Sequence, residues 1–191
     1  MEPRKPVENI LCNGTELVSY FPITDYFTGK FKIINSIPQQ TEKLEYAGDT
    51  TINLMDYKII SEKLYIDTIL IGTTQFKFYR TDTEGNVLRY FLEYNEEYMY
   101  TPVQPILNEV VAEYAVIDGS HIRKVIDTNA SFATSACEYV GLLKIEEVVD
   151  MEDDEPIVNI YYYKKGLGII AKVETIGLNI VTTTLTEINF E

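Results

Sequence analysis

Almost every window of this chain alternates apolar and polar residues with a period of two, and almost every gap between such windows carries turn chemistry. Successive side chains on a β-strand point to opposite faces, so this pattern confines the chain to an all-β architecture. The alternation places strands at Glu16 to Phe21, Lys30 to Ile34, Thr51 to Ile60, Leu64 to Gly72, Gln75 to Thr81, Asn86 to Tyr94 and Tyr98 to Thr101. They continue at Glu109 to Ile117, Ser120 to Asp127, Cys137 to Val149, Ile157 to Tyr163, Gly168 to Thr175 and Leu178 to Ile188. Asp82 to Asn86 and Asp118-Gly119 supply hairpin turns, with Ile176-Gly177 a weaker one. Short connections imply antiparallel neighbours, because parallel strands need long crossovers.

No segment carries a sustained three-and-four helical spacing. Pro105 to Glu113 is rich in Val and enters a strand, while Ala130 to Cys137 is a loop or single turn. Ser36 to Glu42 reads as a loop and residues 1–15 as an irregular N-terminal segment of a single all-β domain spanning residues 1–191. About a dozen strands in one meander must curl, close or split into layers. The expected fold is an antiparallel meander forming a strongly curved, partly open barrel, with a two-layer β-sandwich as the alternative.

The hairpin from Tyr161 to Lys172 shows the logic in detail. Gly166 and Gly168 can take positive φ at a reversal or bulge. Beyond them, simple alternation puts Ile169, Ala171 and Val173 on a core face and Ile170, Lys172 and Glu174 on the opposite one, with Lys172 and Glu174 exposed. A phosphate-cradling glycine loop would need a helix after the glycines, and Ile169 to Thr175 does not start one.

The formal net charge of -14 repels phosphate backbones, so nucleic acid is excluded as the main partner. No apolar run approaches the roughly 18 residues of a transmembrane helix. Met1 to Glu8 has no apolar segment of the kind a secretion signal requires, and the residues before Cys12 cannot form a lipoprotein cleavage box. An exported protein whose signal has been removed and a cytoplasmic protein would both look like this. Two cysteines, Cys12 and Cys137, permit a disulfide but are too few for a disulfide scaffold. Free buried cysteines are the commoner state of such a pair.

Reactive groups are scarce. His121 is the only histidine and sits at a strand start, so a histidine-rich zinc site is ruled out, and the cysteines lack ligand spacing. A nucleophile pair of Cys137 and His121 has less support than a surface histidine and a core cysteine. Ser131 and Ser135 lie in no nucleophile elbow. The acidic run Glu146 to Glu155, ended by Pro156, lacks the glycine and spacing of a calcium loop and reads as a solvated hairpin tip. Tyr90, Tyr94, Tyr98 and Tyr100 read as core and sheet-face packing rather than a binding platform. The expectation is therefore no catalytic residue, no metal and no cofactor, with Asp and Glu the only abundant reactive groups.

Several segments in order resemble a loose group of bacterial β-rich proteins, mostly exported or lipid-anchored and without assigned activity. They are Tyr20-Phe21-Pro22 followed by Gly29 to Ile33, Asp82 to Val87 followed by Pro102, Ala130 to Phe132 followed by Cys137 to Val140, and Tyr162 to Lys172. The resemblance implies a β fold and an envelope setting, extracytoplasmic in the periplasm or at the cell surface, but no catalytic residue. The leading reading is a non-enzymatic bacterial cell-envelope binding or structural module. Behind it stand an acidic immunity-type inhibitor of a basic enzyme or toxin, then a carrier of an apolar ligand, and last a hydrolase. The partner is an unknown protein or an apolar ligand.

Overall fold

The computed structural model describes residues 12, 19–21, 24–116, 119–151 and 155–190. Twelve strands occupy most of them. They are β1 (Thr28–Ile33), β2 (Gln40–Ile52), β3 (Met55–Ile66), β4 (Ile69–Thr81), β5 (Val87–Phe91) and β6 (Glu96–Thr101). Then come β7 (Val110–Val116), β8 (Gly119–Ala133), β9 (Glu138–Met151), β10 (Ile157–Lys164), β11 (Gly168–Ile176) and β12 (Asn179–Asn189). All belong to one sheet in the order β6-β5-β4-β3-β2-β1-β12-β11-β10-β9-β8-β7, and every neighbouring pair is antiparallel. The sheet is a nearly closed barrel with one unsealed seam between β6 and β7. A single continuous sheet replaces the two-layer sandwich.

Side chains hold the seam where the ladder does not. Tyr98 on β6 and Tyr114 on β7 stack with ring centroids 4.2 Å apart. Arg123 reaches across to donate to the Tyr100 carbonyl at 3.3 Å, so one backbone acceptor of the β6 edge is satisfied by a side chain. The barrel is filled by Phe21, Phe31, Leu44, Ile60, Tyr79, Tyr100, Ile145, Tyr163 and Leu185, all buried. Phe21 packs between Tyr79 and Tyr100, at 4.9 and 5.2 Å between centroids.

Several expectations are corrected. The strand read from Thr51 to Ile60 is broken by a reversal at Asn53-Leu54, and the one from Leu64 to Gly72 by a reversal at Asp67-Thr68. Asn53, Leu54 and Asp67 take positive φ, and these turns contain no glycine to mark them. Asn and Asp tolerate this region through local side-chain hydrogen bonding, so the alternation reads straight through the turn. β2 begins at Gln40, inside the loop expected from Ser36 to Glu42, and β8 runs through Ala133, into the segment expected to be a loop or turn. The strand expected from Glu16 to Phe21 falls mostly outside the described residues, and the part at 19–21 is not a strand. The irregular segment at 1–15 also lies outside them, apart from Cys12.

The faces of β11 are corrected by a bulge. Tyr161 pairs with Lys172, yet Tyr163 pairs with Ile169, so Ile170 is an extra residue opposite no partner. A bulge breaks the two-residue period. Lys172 and Glu174 therefore join Ile169 on the inner face with Tyr161 and Asn159, and both are half-buried rather than exposed. Ala171 is fully buried as expected, but so is Ile170, while Ile169 and Val173 are only half-buried.

Cys12 and Cys137 form a disulfide with Cα atoms 5.5 Å apart, in place of the free pair expected. It ties residue 12 to the turn between β8 and β9, and disulfides persist in oxidising compartments.

Candidate functional site

The inner face of the barrel is not the apolar surface a lipid carrier would need. Cross-strand register explains why. Arg123, Glu147, Asn159 and Glu174 stand in one row across β8, β9, β10 and β11. The next row reads Val125, Ile145, Tyr161, Lys172 and Thr183. One row is thus wholly polar, and in the next Lys172 and Thr183 stand beside Val125, Ile145 and Tyr161, so the inside of the wall mixes charged and apolar side chains.

The deepest polar group is an ion pair. Arg123 Nη1 donates to Glu147 Oε1 at 2.7 Å, and Arg123 Nη2 donates to Tyr163 Oη at 3.0 Å. Glu147 Oε2 accepts from Tyr161 Oη at 3.1 Å and Asn159 Nδ2 at 3.3 Å. The guanidinium lies between the Tyr100 and Tyr161 rings, 4.6 and 5.1 Å from their centroids. Burial alone would raise the Glu147 carboxyl; the Arg123 charge and hydrogen bond, with Tyr161, outweigh it and bring it down to about 2. Buried charges need this degree of satisfaction to be tolerated.

A second polar group borders open space. Glu42 and Glu62 share a hydrogen bond, and Lys77 is ion-paired to Glu62. Burial and the neighbouring Glu62 charge push Glu42 up to about 7. Burial opposes ionisation of Glu62 as well, but the Lys77 charge and the hydrogen bonds from Lys77 and Glu42 hold it below its ordinary value. Below about pH 7 Glu42 thus carries the proton and Glu62 the charge. Lys172 Nζ lies 2.8 Å from Glu174 Oε2 on the same side of the barrel.

Glu42, Glu62 and Lys172 border the floor of a cavity of about 450 Å³ that opens at the end of the barrel. Ile33, Leu64, Ile71 and Val181 are the apolar part of its wall, interspersed with Thr73, Gln75 and Glu174. Below the floor lies a small inner cavity of about 70 Å³, also bordered by Glu42, Glu62, Lys172 and Thr183. The hairpin turns β1–β2, β3–β4 and β11–β12 surround this mouth, as the pairs Gln40↔Ile66 and Ile33↔Thr183 require. They expose Ile37, Ile69, Leu178 and Ile180.

The residues singled out from the sequence fall elsewhere. His121 and Cys137 lie at opposite ends of the β8–β9 hairpin and form no pair. His121 Nδ1 is 2.8 Å from Tyr114 Oη, and Cys137 is held by Cys12. Ser131 and Ser135 are exposed. Tyr90 and Tyr100 are packed as expected, Tyr100 in the interior and Tyr90 against Tyr57. The acidic run is corrected at Glu147, which is buried in the Arg123 pair rather than solvated; residues 152–154 lie outside the described residues. Among the described residues no group of three or more His, Cys, Asp or Glu is placed to hold a metal ion. No helix among them is long and apolar enough to cross a membrane.

The Glu42, Glu62, Lys77 and Lys172 cluster was missed from the sequence. Its members are far apart along the chain, and only the β11 bulge turns Lys172 inward. A signal was present in Glu42 and Leu44 at alternate positions of one strand, and again in Glu62 and Leu64.

Comparisons with known proteins agree with this architecture. No family model matches the chain, and no curated protein matches it. Two solved structures resemble it. One is an inferred exported protein with a YmcC-like fold from Bacteroides fragilis, with a TM-score of 0.59 at 8% identity, covering 88% of this chain and 98% of that one. The other is an inferred lipoprotein from Parabacteroides distasonis, with a TM-score of 0.60 at 12% identity, covering 92% of this chain and all of that one, 100%. The likeness is one of fold. Both neighbours fit the loose group of exported or lipid-anchored β-rich bacterial proteins at that coarse level.

Proposed function

We propose that this protein is a non-enzymatic binding module of the bacterial cell envelope that takes a small ligand in the mouth of its barrel. The observation that carries the reading is the open cavity of about 450 Å³ with apolar wall residues Ile33, Leu64, Ile71 and Val181 and a floor of Glu42, Glu62 and Lys172. Its size falls within the roughly 300–1,000 Å³ of ordinary ligand sites, and apolar walls with a few convergent polar groups are their usual lining. The charged floor favours a ligand with a polar end over the wholly apolar cargo of the carrier reading. Extracytoplasmic location is supported by the Cys12–Cys137 disulfide and by the exported and lipoprotein descriptions of the two structural neighbours.

Non-enzymatic action is supported by the absorption of His121 and Cys137 into structural contacts. A hydrolase is the second reading, favoured by one observation: Glu42 and Glu62 hold different protonation states, as an acid–base pair does. The ion pair with Lys77 occupies the charged member and argues for structure. Net charge is the remaining support for the inhibitor reading.

Native mass spectrometry of the protein purified from its own host tests the proposal. A bound small molecule, lost on Leu64→Trp or Ile71→Trp, is expected. A ligand-free spectrum, together with hydrolase activity abolished by Glu42→Gln, would replace the binding reading with the enzymatic one.

A further inference from the structure

The wall of the barrel has a notch. Strands β4 and β5 stop pairing at Phe78↔Tyr90, although β4 extends back to Ile69. β5 itself ends at Phe91, where the chain turns away towards β6. A cavity of about 310 Å³ lies there, bordered among others by Lys77, Arg89, Phe91, Glu93, Tyr94, Tyr114 and His121.

Arg89 is the anomaly in this notch. Among the described residues no carboxylate forms an ion pair with it, whereas Arg80 and Arg123 are each paired with a glutamate. Its Nε is buried and has no hydrogen-bond partner. The guanidinium carbon lies 4.1 Å from the centroid of the Phe91 ring. The other cation at the site, Lys77, is committed to Glu62. His121 faces Tyr114 and is held below its ordinary pKa by burial, so it adds no fixed positive charge. Glu62 and Glu147 act on Arg89 only through space, and Glu93 borders the cavity without an ion pair to it, so a partly buried guanidinium is left without a directly paired anion, which is costly unless something else pairs with it.

The fork of an arginine matches a carboxylate or phosphate in two parallel hydrogen bonds. Phe91 and Tyr114, 5.2 Å apart between centroids, form an aromatic corner beside it. We propose that the notch is a binding site for a small organic acid, whose carboxylate or phosphate oxygens pair with Arg89 while its flat apolar body lies against Phe91 and Tyr114. The notch shares no lining residue with the barrel mouth, although Arg89 and Lys77 also border the small inner cavity beneath the mouth, and its occupancy does not require a ligand in the mouth.

The test is titration of the full chain, by calorimetry and by amide chemical shifts, with benzoate, phenyl phosphate, inorganic phosphate and the neutral isostere benzamide. Benzoate or phenyl phosphate should saturate, shift the Phe91 and Tyr114 signals, and raise Tm. Inorganic phosphate and benzamide should bind at least tenfold more weakly. Arg89→Gln should weaken the acid at least tenfold and leave the Tm of the free protein unchanged or higher, because an unpaired buried cation has gone. Arg89→Lys should fall between. The proposal is overturned if neither acid binds, if benzamide or inorganic phosphate binds equally well, or if Arg89→Gln binds normally. It is also overturned if Arg89→Gln lowers the Tm of the free protein by several degrees, which would make the arginine structural.

Discussion

Arg123 and Glu147 face each other across β8 and β9 as direct register partners, with Nη1 and Oε1 2.7 Å apart and both side chains buried. The pair joins the seam to the interior, because the same guanidinium also donates to the Tyr100 carbonyl on the edge strand β6. Removing one partner would leave the other charge buried and unpaired. Arg123→Met should therefore cost about 3–5 kcal/mol in a urea melt. The double substitution Arg123→Met with Glu147→Leu should recover most of that loss. A double-variant loss equal to the sum of the losses of Arg123→Met and Glu147→Leu would show that the residues act independently.

The same pair sets an acid limit. Glu147 is held at about 2 in the folded protein, below the roughly 4.3 of an unfolded chain. The folded state thus binds fewer protons between those values, and its stability falls as pH drops through them. The contribution is complete above about pH 4.5 and lost towards pH 2. Denaturant midpoints measured from pH 6 to pH 2 should fall steeply for the native chain and more gently for the Arg123→Met, Glu147→Leu double variant.

Glu42 runs in the opposite direction. Its folded value of about 7 lies above the unfolded one, so the folded state binds the extra proton between about pH 4.3 and 7. Stability contributed at this site is present below that window and is lost as pH rises through it. Glu42→Gln, a permanent mimic of the protonated form, should gain on the order of 3 kcal/mol relative to the native chain at pH 8 and little at pH 4. A gain of the same size at both pH values would assign the effect to packing.

The disulfide joins residues 125 apart, so it constrains a long loop of the unfolded chain. Cys12→Ser with Cys137→Ser should lower stability by about 2–5 kcal/mol, read as a lower denaturant midpoint. Added reductant should lower the native chain's midpoint and leave the variant's unchanged.

Ala171 is fully buried opposite Tyr162 on the face set by the β11 bulge. Ala171→Glu should cost several kcal/mol, of the order of 3, through burial of an unpaired charge. Val173→Glu, at a half-buried position of the same strand, should cost less than half as much. Similar urea midpoints for the two variants would show that the difference in burial between the two positions does not set the cost.

Most of the architecture was legible because alternation is a local signal. The hairpin of β10 and β11 follows from the tyrosine run and two glycines. What the sequence hid were features that depend on a partner strand. Asn53-Leu54 turns the chain without glycine or proline, and the extra residue at Ile170 exists only relative to Tyr162 and Tyr163. The interior charges were hidden for the same reason. Glu147 sits in an acidic run that looks solvated until β8 sets Arg123 opposite it, and Glu42 meets Glu62 only when β2 and β3 pair. Arg89 was not visible at all as a site, since its character lies in the carboxylate it lacks.

The proposed ligand site is the barrel mouth above Glu42 and Glu62. Its most direct test is a methyl chemical-shift map of labelled protein titrated with small-molecule extract of the native host's envelope. Saturable shifts are expected at Ile33, Leu64, Ile71 and Val181, weakened by Glu62→Gln and Lys172→Met, with the extract unchanged chemically after incubation. Saturable shifts confined to residues remote from the mouth, or turnover of an extract component that Glu42→Gln abolishes, would contradict that proposal.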